Sequence, residues 1–170
     1  MFSAGELVVY GGEGVCRVEA VGVPEIPGID KKKEYYTLRP LSRTGQVLTP
    51  VDTKVLLRPV LSAQEAKDLV EQLPDLTLEQ PLPANPRAWK EYYQATVTSY
   101  DCRRTAALLQ LLVKKRVQAL RQGKKPSQLD ERYEKRAENQ LYSELAVSLD
   151  IPREEVEEYI RRRHPRWLEI

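Results

Sequence analysis

Histidine and cysteine are scarce in this chain of 170 residues, which contains one histidine and two cysteines. The histidine, His164, lies far along the chain from Cys16 and from Cys102 in a charged segment. Nucleophilic catalysis of the familiar kinds needs a base beside the nucleophile, and a zinc site needs clustered ligands, so both are disfavoured. The cysteine spacing does not suggest a disulfide framework, and we expect both cysteines to be small buried hydrophobic residues.

The sequence also lacks long apolar runs and phosphate-binding loops. No run approaches the roughly 20 apolar residues that span a bilayer, and Glu6 stands where a signal peptide would be apolar. There is no GxxxxGK[ST] motif, and the GGEG at 11–14 is better explained as a turn that requires positive φ. We therefore predict a cytoplasmic binding protein without catalytic residues, metal or cofactor.

Positive charge is concentrated in one third of the molecule. The whole chain has a formal net charge of +2, but residues 85–136 contain 13 Lys and Arg against 5 Asp and Glu, a net charge of +8. The flanking ranges 61–84 and 137–170 carry net charges of −4 and −3. Such asymmetry is expected of a phosphate-binding face, although solvated Lys and Arg on helices are its commoner cause.

Residues 6–61 have the pattern of short strands. Apolar and polar residues alternate in segments that glycine or proline separates. The predicted strands cover residues 6–10, 15–21, 34–41, 46–51 and 54–61. In the second of them, Cys16, Val18 and Ala20 fall on one face. These strands in about sixty residues indicate a small, strongly curved antiparallel sheet or barrel.

After Leu61 the signals become helical. Ser62 and Glu65 fit a capping box for a first, acidic helix, and the prolines of 74–86 cannot sustain another. Further helices are predicted over about 86–99 with Asn85 as its cap, from Asp101 to Gly123, from Ser127 to about 149, and over 151–163.

The two patterns together predict an α+β fold with two modules. A small antiparallel β-barrel is expected over 1–61 and an all-α helical bundle over 85–170. The range 62–84 between them is interpreted as a short helix and a proline-rich connector.

Trp89 lies in the first turn of the predicted helix 86–99, between Arg87 and Lys90. The same helical face carries Tyr92, Tyr93, Thr96 and Tyr100. Such a stripe is more often part of a core, but an aromatic side chain in a first turn beside basic residues is also what a DNA wedge needs. The residues alone leave both interpretations open. We expect the other tryptophan, Trp167, to pack back on the bundle.

The opening FSAGELVVYGGEGVCRVEAV, followed by KEYYTL, VLTPV and a helical region entered through PxxW, resembles the bacterial CarD family of transcription regulators. The resemblance covers almost the whole chain, and FxxGxxVVY with GxGVCRV is its most specific part. It implies a Tudor-like, SH3-like β domain that binds the β subunit of RNA polymerase, and a helical domain that contacts promoter DNA. Family members are described as stabilising the open promoter complex with a tryptophan in the minor groove.

The positions that match this family form two sets of expected contact residues. The DNA-binding set, which reaches the minor groove and the phosphate backbone, is Trp89, Arg87, Lys90, Lys114, Lys115 and Arg132. The polymerase-binding set, near positions where one branch of the family uses arginine, is Pro24, Ile26, Val47, Leu48 and Thr49. Glu91 follows Lys90 where some relatives have a basic residue, which predicts fewer phosphate contacts from this helix.

The sequence therefore supports two hypotheses that assign the protein to different functional classes. The first is a monomeric, nucleoid-associated, non-enzymatic regulator that bridges polymerase and promoter DNA and favours the open complex. The alternative is a polymerase-independent architectural protein that uses the same basic helices on nucleic acid. An enzyme of unseen type would require a pair of acids in a cleft.

Overall fold

The computed structural model describes residues 1–168, and it has the predicted α+β composition. The backbone divides into two compact units, Met1–Val60 and Leu61–Ile170. We call them the β unit and the helical unit. Residues 169 and 170, at the end of the predicted helical domain 85–170, lie outside the described residues.

The β unit is one antiparallel sheet of five strands. The strands are β1 (Leu7–Tyr10), β2 (Gly14–Gly22), β3 (Tyr35–Pro40), β4 (Val47–Pro50) and β5 (Leu57–Pro59). Their order is β4-β3-β2-β1-β5, which makes β4 and β5 the two edges of an open sheet. The antiparallel strands are as predicted, but the predicted closed barrel is not confirmed. All five predicted strands are confirmed, with ends that differ by a few residues. The buried core beneath them consists of Val8, Cys16, Val18, Tyr36 and Leu38.

Strand β2 contains two departures from regular geometry. Gly12 precedes the strand with a φ angle of +89°, and Gly14 begins it with a φ angle of +78°. These angles confirm the predicted turn with positive φ. A register shift then occurs between Val18 and Ala20 where β2 pairs with β3. Cys16 and Val18 are buried whereas Ala20 is exposed, because a bulge reverses the side-chain alternation after it. The prediction that Ala20 shares their face is wrong for this reason.

The helical unit contains five α-helices among the described residues. They are α1 (Ala63–Gln72), α2 (Pro86–Ser99), α3 (Cys102–Arg121), α4 (Gln128–Leu149) and α5 (Val156–Arg163), with short 3₁₀ turns at Leu73–Asp75 and Arg153–Glu155. Each predicted N-cap is confirmed by a side-chain oxygen that accepts a backbone N–H, at Ser62, Asn85, Asp101 and Ser127. The capping box between Ser62 and Glu65 is complete, so both of its polar groups satisfy helix-end donors.

Helix α1 is part of the main core of this unit. Ala66, Leu69 and Val70 are buried in the same cluster as side chains of α3, α4 and α5. The buried carboxylate of Glu144 accepts hydrogen bonds from the Leu61 backbone N at 2.8 Å and from Cys102 Sγ at 3.2 Å. The first residue of the unit is thus attached to α4. Cys102 is half-buried and Cys16 is buried, so the expectation for the cysteines holds fully for Cys16 alone.

Trp167 closes the same core, as expected from the sequence. Its side chain is 4% exposed, and Nε1 donates to the hydroxyl of Tyr142 at 2.8 Å. Burial raises the pKa of Tyr142 well above the ordinary tyrosine value. The hydroxyl is therefore a neutral group that satisfies a buried N–H.

Replacing Tyr142 with Phe should lower the free energy of unfolding by about 1–3 kcal/mol, because the buried indole N–H of Trp167 loses its acceptor. Urea denaturation measures the change. Tyr159→Phe is the control, since the structure gives Tyr159 a contact through its ring, with the Arg163 guanidinium 4.2 Å from the ring centroid. Equal losses in the two variants would contradict the role given to the Tyr142 hydroxyl.

Candidate nucleic-acid and polymerase interfaces

The start of helix α2 determines where Trp89 lies. The Asn85 side chain accepts from the backbone N of Ala88 at 2.9 Å, and the Trp89 backbone N donates to the Asn85 carbonyl at 3.0 Å. Pro86 occupies the first helical position, where its missing N–H and fixed φ carry no penalty. The indole therefore projects from a capped first turn.

The Trp89 ring is half-buried, with part of it packed and part open to solvent. Its centroid is 5.5 Å from the Tyr92 ring, at 66°, and 5.9 Å from the Tyr93 ring, at 48°. These edge-on and tilted arrangements are favourable for aromatic pairs. The buried cluster beneath the ring consists of Tyr93, Val97, Leu108, Leu112 and Tyr133. Packing thus supports the indole without enclosing it.

Tyr92 holds the proline-rich segment that precedes α2 against the helix, close to Trp89. Its hydroxyl donates to the Glu79 carbonyl at 3.1 Å, and burial raises the pKa of this hydroxyl despite that bond. The Glu79 carboxylate also lies 3.3 Å from the Arg104 guanidinium of α3. The segment before α2 is therefore held to the helical unit at the side of the aromatic cluster.

Lys115 is the predicted basic residue that the structure places against Trp89. Its ammonium lies 5.9 Å from the Trp89 ring centroid and 5.6 Å from that of Tyr93. It donates to the Tyr93 hydroxyl at 2.9 Å and pairs with the Asp130 carboxylate at 3.0 Å. Burial lowers the pKa of Lys115, but the bonds to Tyr93 and Asp130 outweigh it and the net shift is upward. The amine therefore stays charged at neutral pH.

The other predicted DNA-binding cations are exposed, as is Lys115, whose side chain is 42% exposed. Arg87 is an exposed residue whose guanidinium lies 3.8 Å from Glu91, and an exposed pair of this kind contributes little. Lys90 and Arg132 are exposed on α2 and α4. Lys114 faces away from Lys115 and lines a cavity of about 400 Å³ beside Trp167, because successive helical residues point about 100° apart.

Sequence reasoning missed the acidic partners of this basic region. Asp130 and Glu134 lie on adjacent turns of α4 and face α3. Asp130 pairs with Lys115 at 3.0 Å, and Glu134 pairs with Arg116 at 2.9 Å. From sequence alone, Asp130 is only an acid in the first turn of the helix predicted from Ser127, since pairing between helices has no local signal. The count of +8 for residues 85–136 therefore overstates the free positive charge.

The predicted polymerase-binding residues lie in the β2–β3 loop and on edge strand β4. Ile26 is exposed, and Pro24, Val47 and Leu48 are half-buried. Thr49 is buried and its hydroxyl accepts from that of Tyr10 at 3.3 Å. Its side chain is therefore not available to a partner, and Val47, on the same face of β4, packs against the core of the β unit. Ile26 and Leu48 are the apolar side chains of this set that a partner can reach.

Metal-ligand clusters and membrane-spanning helices are both absent from the described part of the chain. Over residues 1–168, no group of three or more His, Cys, Asp or Glu side chains could hold a metal ion. Within the same residues, no helix has both the length and the apolar character needed to cross a bilayer.

The β unit matches a known domain family. Residues 2–61 match the family model of the CarD-like/TRCF RID domain. The β unit is therefore similar to a CarD-like domain over nearly its whole length. The match covers the FxxGxxVVY and GxGVCRV segments and confirms the resemblance over this part of the chain. It supports an RNA polymerase-interacting transcription factor consistent with the CarD-like family. A search of curated proteins for relatives found no match.

Replacing Asn85 with Ala should loosen the turn that carries Trp89 and lower the free energy of unfolding by about 1 kcal/mol, because an N-cap acceptor is lost. Thermal denaturation gives the stability, and amide hydrogen exchange gives the local opening of residues 88–90. Ser62→Ala removes the equivalent acceptor from α1 and is the control. Exchange at 88–90 should rise in the Asn85 variant alone; an equal rise in both would count against this role of the cap.

Proposed function

We propose that the protein is a transcription regulator that binds the β subunit of RNA polymerase through the CarD-like domain and promoter DNA through the helical unit. It stabilises the open complex by inserting the Trp89 ring into the minor groove at the edge of the melted region. In this proposal the protein acts as a monomer, catalyses no reaction, and works in the cytoplasm at the nucleoid. The partly accessible indole on a packed aromatic support is the observation that carries the DNA-binding half.

Edge strand β4 is the proposed polymerase-docking element of a Tudor-like domain. An edge strand has unpaired backbone groups on its outer side, and a strand of a partner can add to them. Val47 and Leu48 are half-buried there and Ile26 is 47% exposed. Apolar side chains beside an open edge favour protein binding over phosphate binding.

The wedge needs an apolar tip, a rigid base and nearby positive charge. Unstacking a base step costs a few kcal/mol, which stacking on an aromatic ring and contacts to phosphates can offset. Tyr92 and Tyr93 supply the base, and Lys90 and Arg87 are exposed in the same turn of α2. Because the wedge would bind melted DNA better than duplex, it would shift the equilibrium toward the open complex.

Tethering explains how so few cations can be sufficient. With Lys115 and Arg116 paired to acids, we expect only about three or four phosphate contacts, from exposed residues such as Arg87, Lys90 and Arg132. A slope near −3 in log K against log salt would follow, which is typical of weak binding that ignores sequence. A CarD-like domain bound to polymerase would raise the effective concentration of the helical unit at the promoter.

Replacing Trp89 with Ala should shorten the lifetime of the open complex by about tenfold, since one base–aromatic stacking contact contributes about 1–3 kcal/mol. Competitor-challenge dissociation of polymerase from promoter DNA measures the lifetime, and pull-down measures polymerase binding, which should not change. Leu120→Ala, at a residue 56% exposed on α3, is the control for loss of an apolar surface group. A parallel loss of lifetime and polymerase binding would argue against separate roles for the two units.

Replacing Leu48 with Glu should weaken binding of the full chain to the isolated polymerase β lobe by at least about tenfold, because an unpaired charge in a docked interface costs several kcal/mol. Biolayer interferometry measures the affinity, and binding to free DNA should be unchanged. Val55→Glu is the control, because Val55 is 45% exposed and precedes β5 at the opposite edge. Loss of binding in the Val55 variant only would move the docking surface to that edge.

A further inference from the structure

Lys115 makes four contacts, all within the helical unit, and three of them are with Trp89 and Tyr93. Its ammonium lies over the rings of Trp89 and Tyr93, and it donates to the Tyr93 hydroxyl. The fourth contact is the carboxylate of Asp130, whose side chain is only 14% exposed. One amine thus joins α3 to the ring on α2 and to the start of α4.

These contacts are poorly suited to binding a phosphate. An ammonium has three donors, and the Tyr93 hydroxyl and the Asp130 carboxylate already accept two of them. Asp130 also neutralises the charge that would attract a phosphate. Turning Lys115 toward DNA would leave a largely buried carboxylate without its partner, which is costly. Lys90 and Lys114 are exposed, and within residues 1–168 the structure gives them no ion pair, so they would bind a phosphate without that loss.

The same contacts are well suited to fixing an indole ring. A cation over one face of the ring is attracted by its π electrons, and Tyr92 and Tyr93 contact the ring from other directions. A ring that is already oriented loses less conformational freedom when it enters a base step. The Lys115 side chain is 42% exposed, and the Asp130 carboxylate holds its ammonium beside the ring.

We propose that Lys115, held by Asp130 and Tyr93, is the positioning residue that fixes the Trp89 ring for insertion into DNA and does not itself bind a phosphate. This inference rests on the proposed function of Trp89. It replaces the role that the family resemblance implied for Lys115. It also gives Asp130, an acid, a role that favours DNA binding.

The first part of the test uses the free full-length protein. The chain has two tryptophans, so its ¹⁵N spectrum should show two indole N–H signals, and Trp89→Phe identifies the one from Trp89. Lys115→Gln and Asp130→Asn should each shift the Trp89 signal and lower its heteronuclear NOE, while the Trp167 signal stays unchanged. Lys115→Arg should restore the NOE. Lys114→Gln and Glu131→Gln, which make the same charge changes at exposed neighbours, should leave the Trp89 signal unchanged.

The second part measures binding of the same proteins to a DNA duplex with a short melted bubble across a range of salt concentrations. Both Lys115→Gln and Asp130→Asn should weaken binding by about two- to thirtyfold, the range that a cation–π contact of this kind covers. The slope of log K against log salt should stay at the parent value. Asp130→Asn is decisive, because removing a negative charge would strengthen binding if Lys115 contacted a phosphate.

Three results would overturn the inference. One is tighter DNA binding by Asp130→Asn, and another is a slope that falls by about 0.9 in Lys115→Gln, the loss of one phosphate contact. The third is a Trp89 indole signal that neither variant changes. If Trp89→Phe and Trp89→Ala bind the bubble as tightly as the parent, the proposed function of Trp89 as a wedge is wrong. The NMR result in free protein still shows whether Lys115 fixes the ring.

Discussion

The ion pair between Lys115 of α3 and Asp130 of α4 is the contact through which the candidate DNA-binding site is organised. It is 3.0 Å long and lies beside the aromatic cluster, so the ammonium also reaches the hydroxyl and ring of Tyr93 and the face of Trp89. An exposed pair of these residues would contribute little. Here the carboxylate is largely buried, and the pair has a geometric consequence as well, because it decides which side of the indole is covered.

In the proposed function, each unit has a role that suits the surface it offers. The CarD-like domain has two edge strands and several exposed apolar side chains, which suit a protein partner. The helical unit has a capped helix start, a partly accessible indole and exposed cations, which suit unstacked bases and phosphates. A factor that only stabilises a melted promoter needs no base-specific readout, since polymerase has already selected the site. Weak helical contacts and a firm protein anchor are then a consistent combination.

Local features of the chain could be predicted from sequence, and contacts between distant segments could not. Asn85 and Asp101 were identifiable as caps because a cap bonds to a backbone N–H two or three residues ahead. The GGEG turn followed from backbone sterics in the same way. The bulge near Ala20 arises from pairing with β3, and the place of Asp130 beside Lys115 depends on how α3 packs on α4. Lys114 and Lys115 were therefore treated alike, although they face different sides of α3.

The central claim is that the Trp89 ring enters the DNA at the upstream edge of the melted region, and a fluorescent base reports on it most directly. The fluorescent base 2-aminopurine is placed at that base step in a polymerase–promoter complex. Adding the protein should change the emission of this base as the step unstacks. The Trp89→Ala protein should produce no such change, although it still binds polymerase. If both proteins change the emission equally, or if the normal protein prolongs the open complex without any change at that step, the wedge account is contradicted.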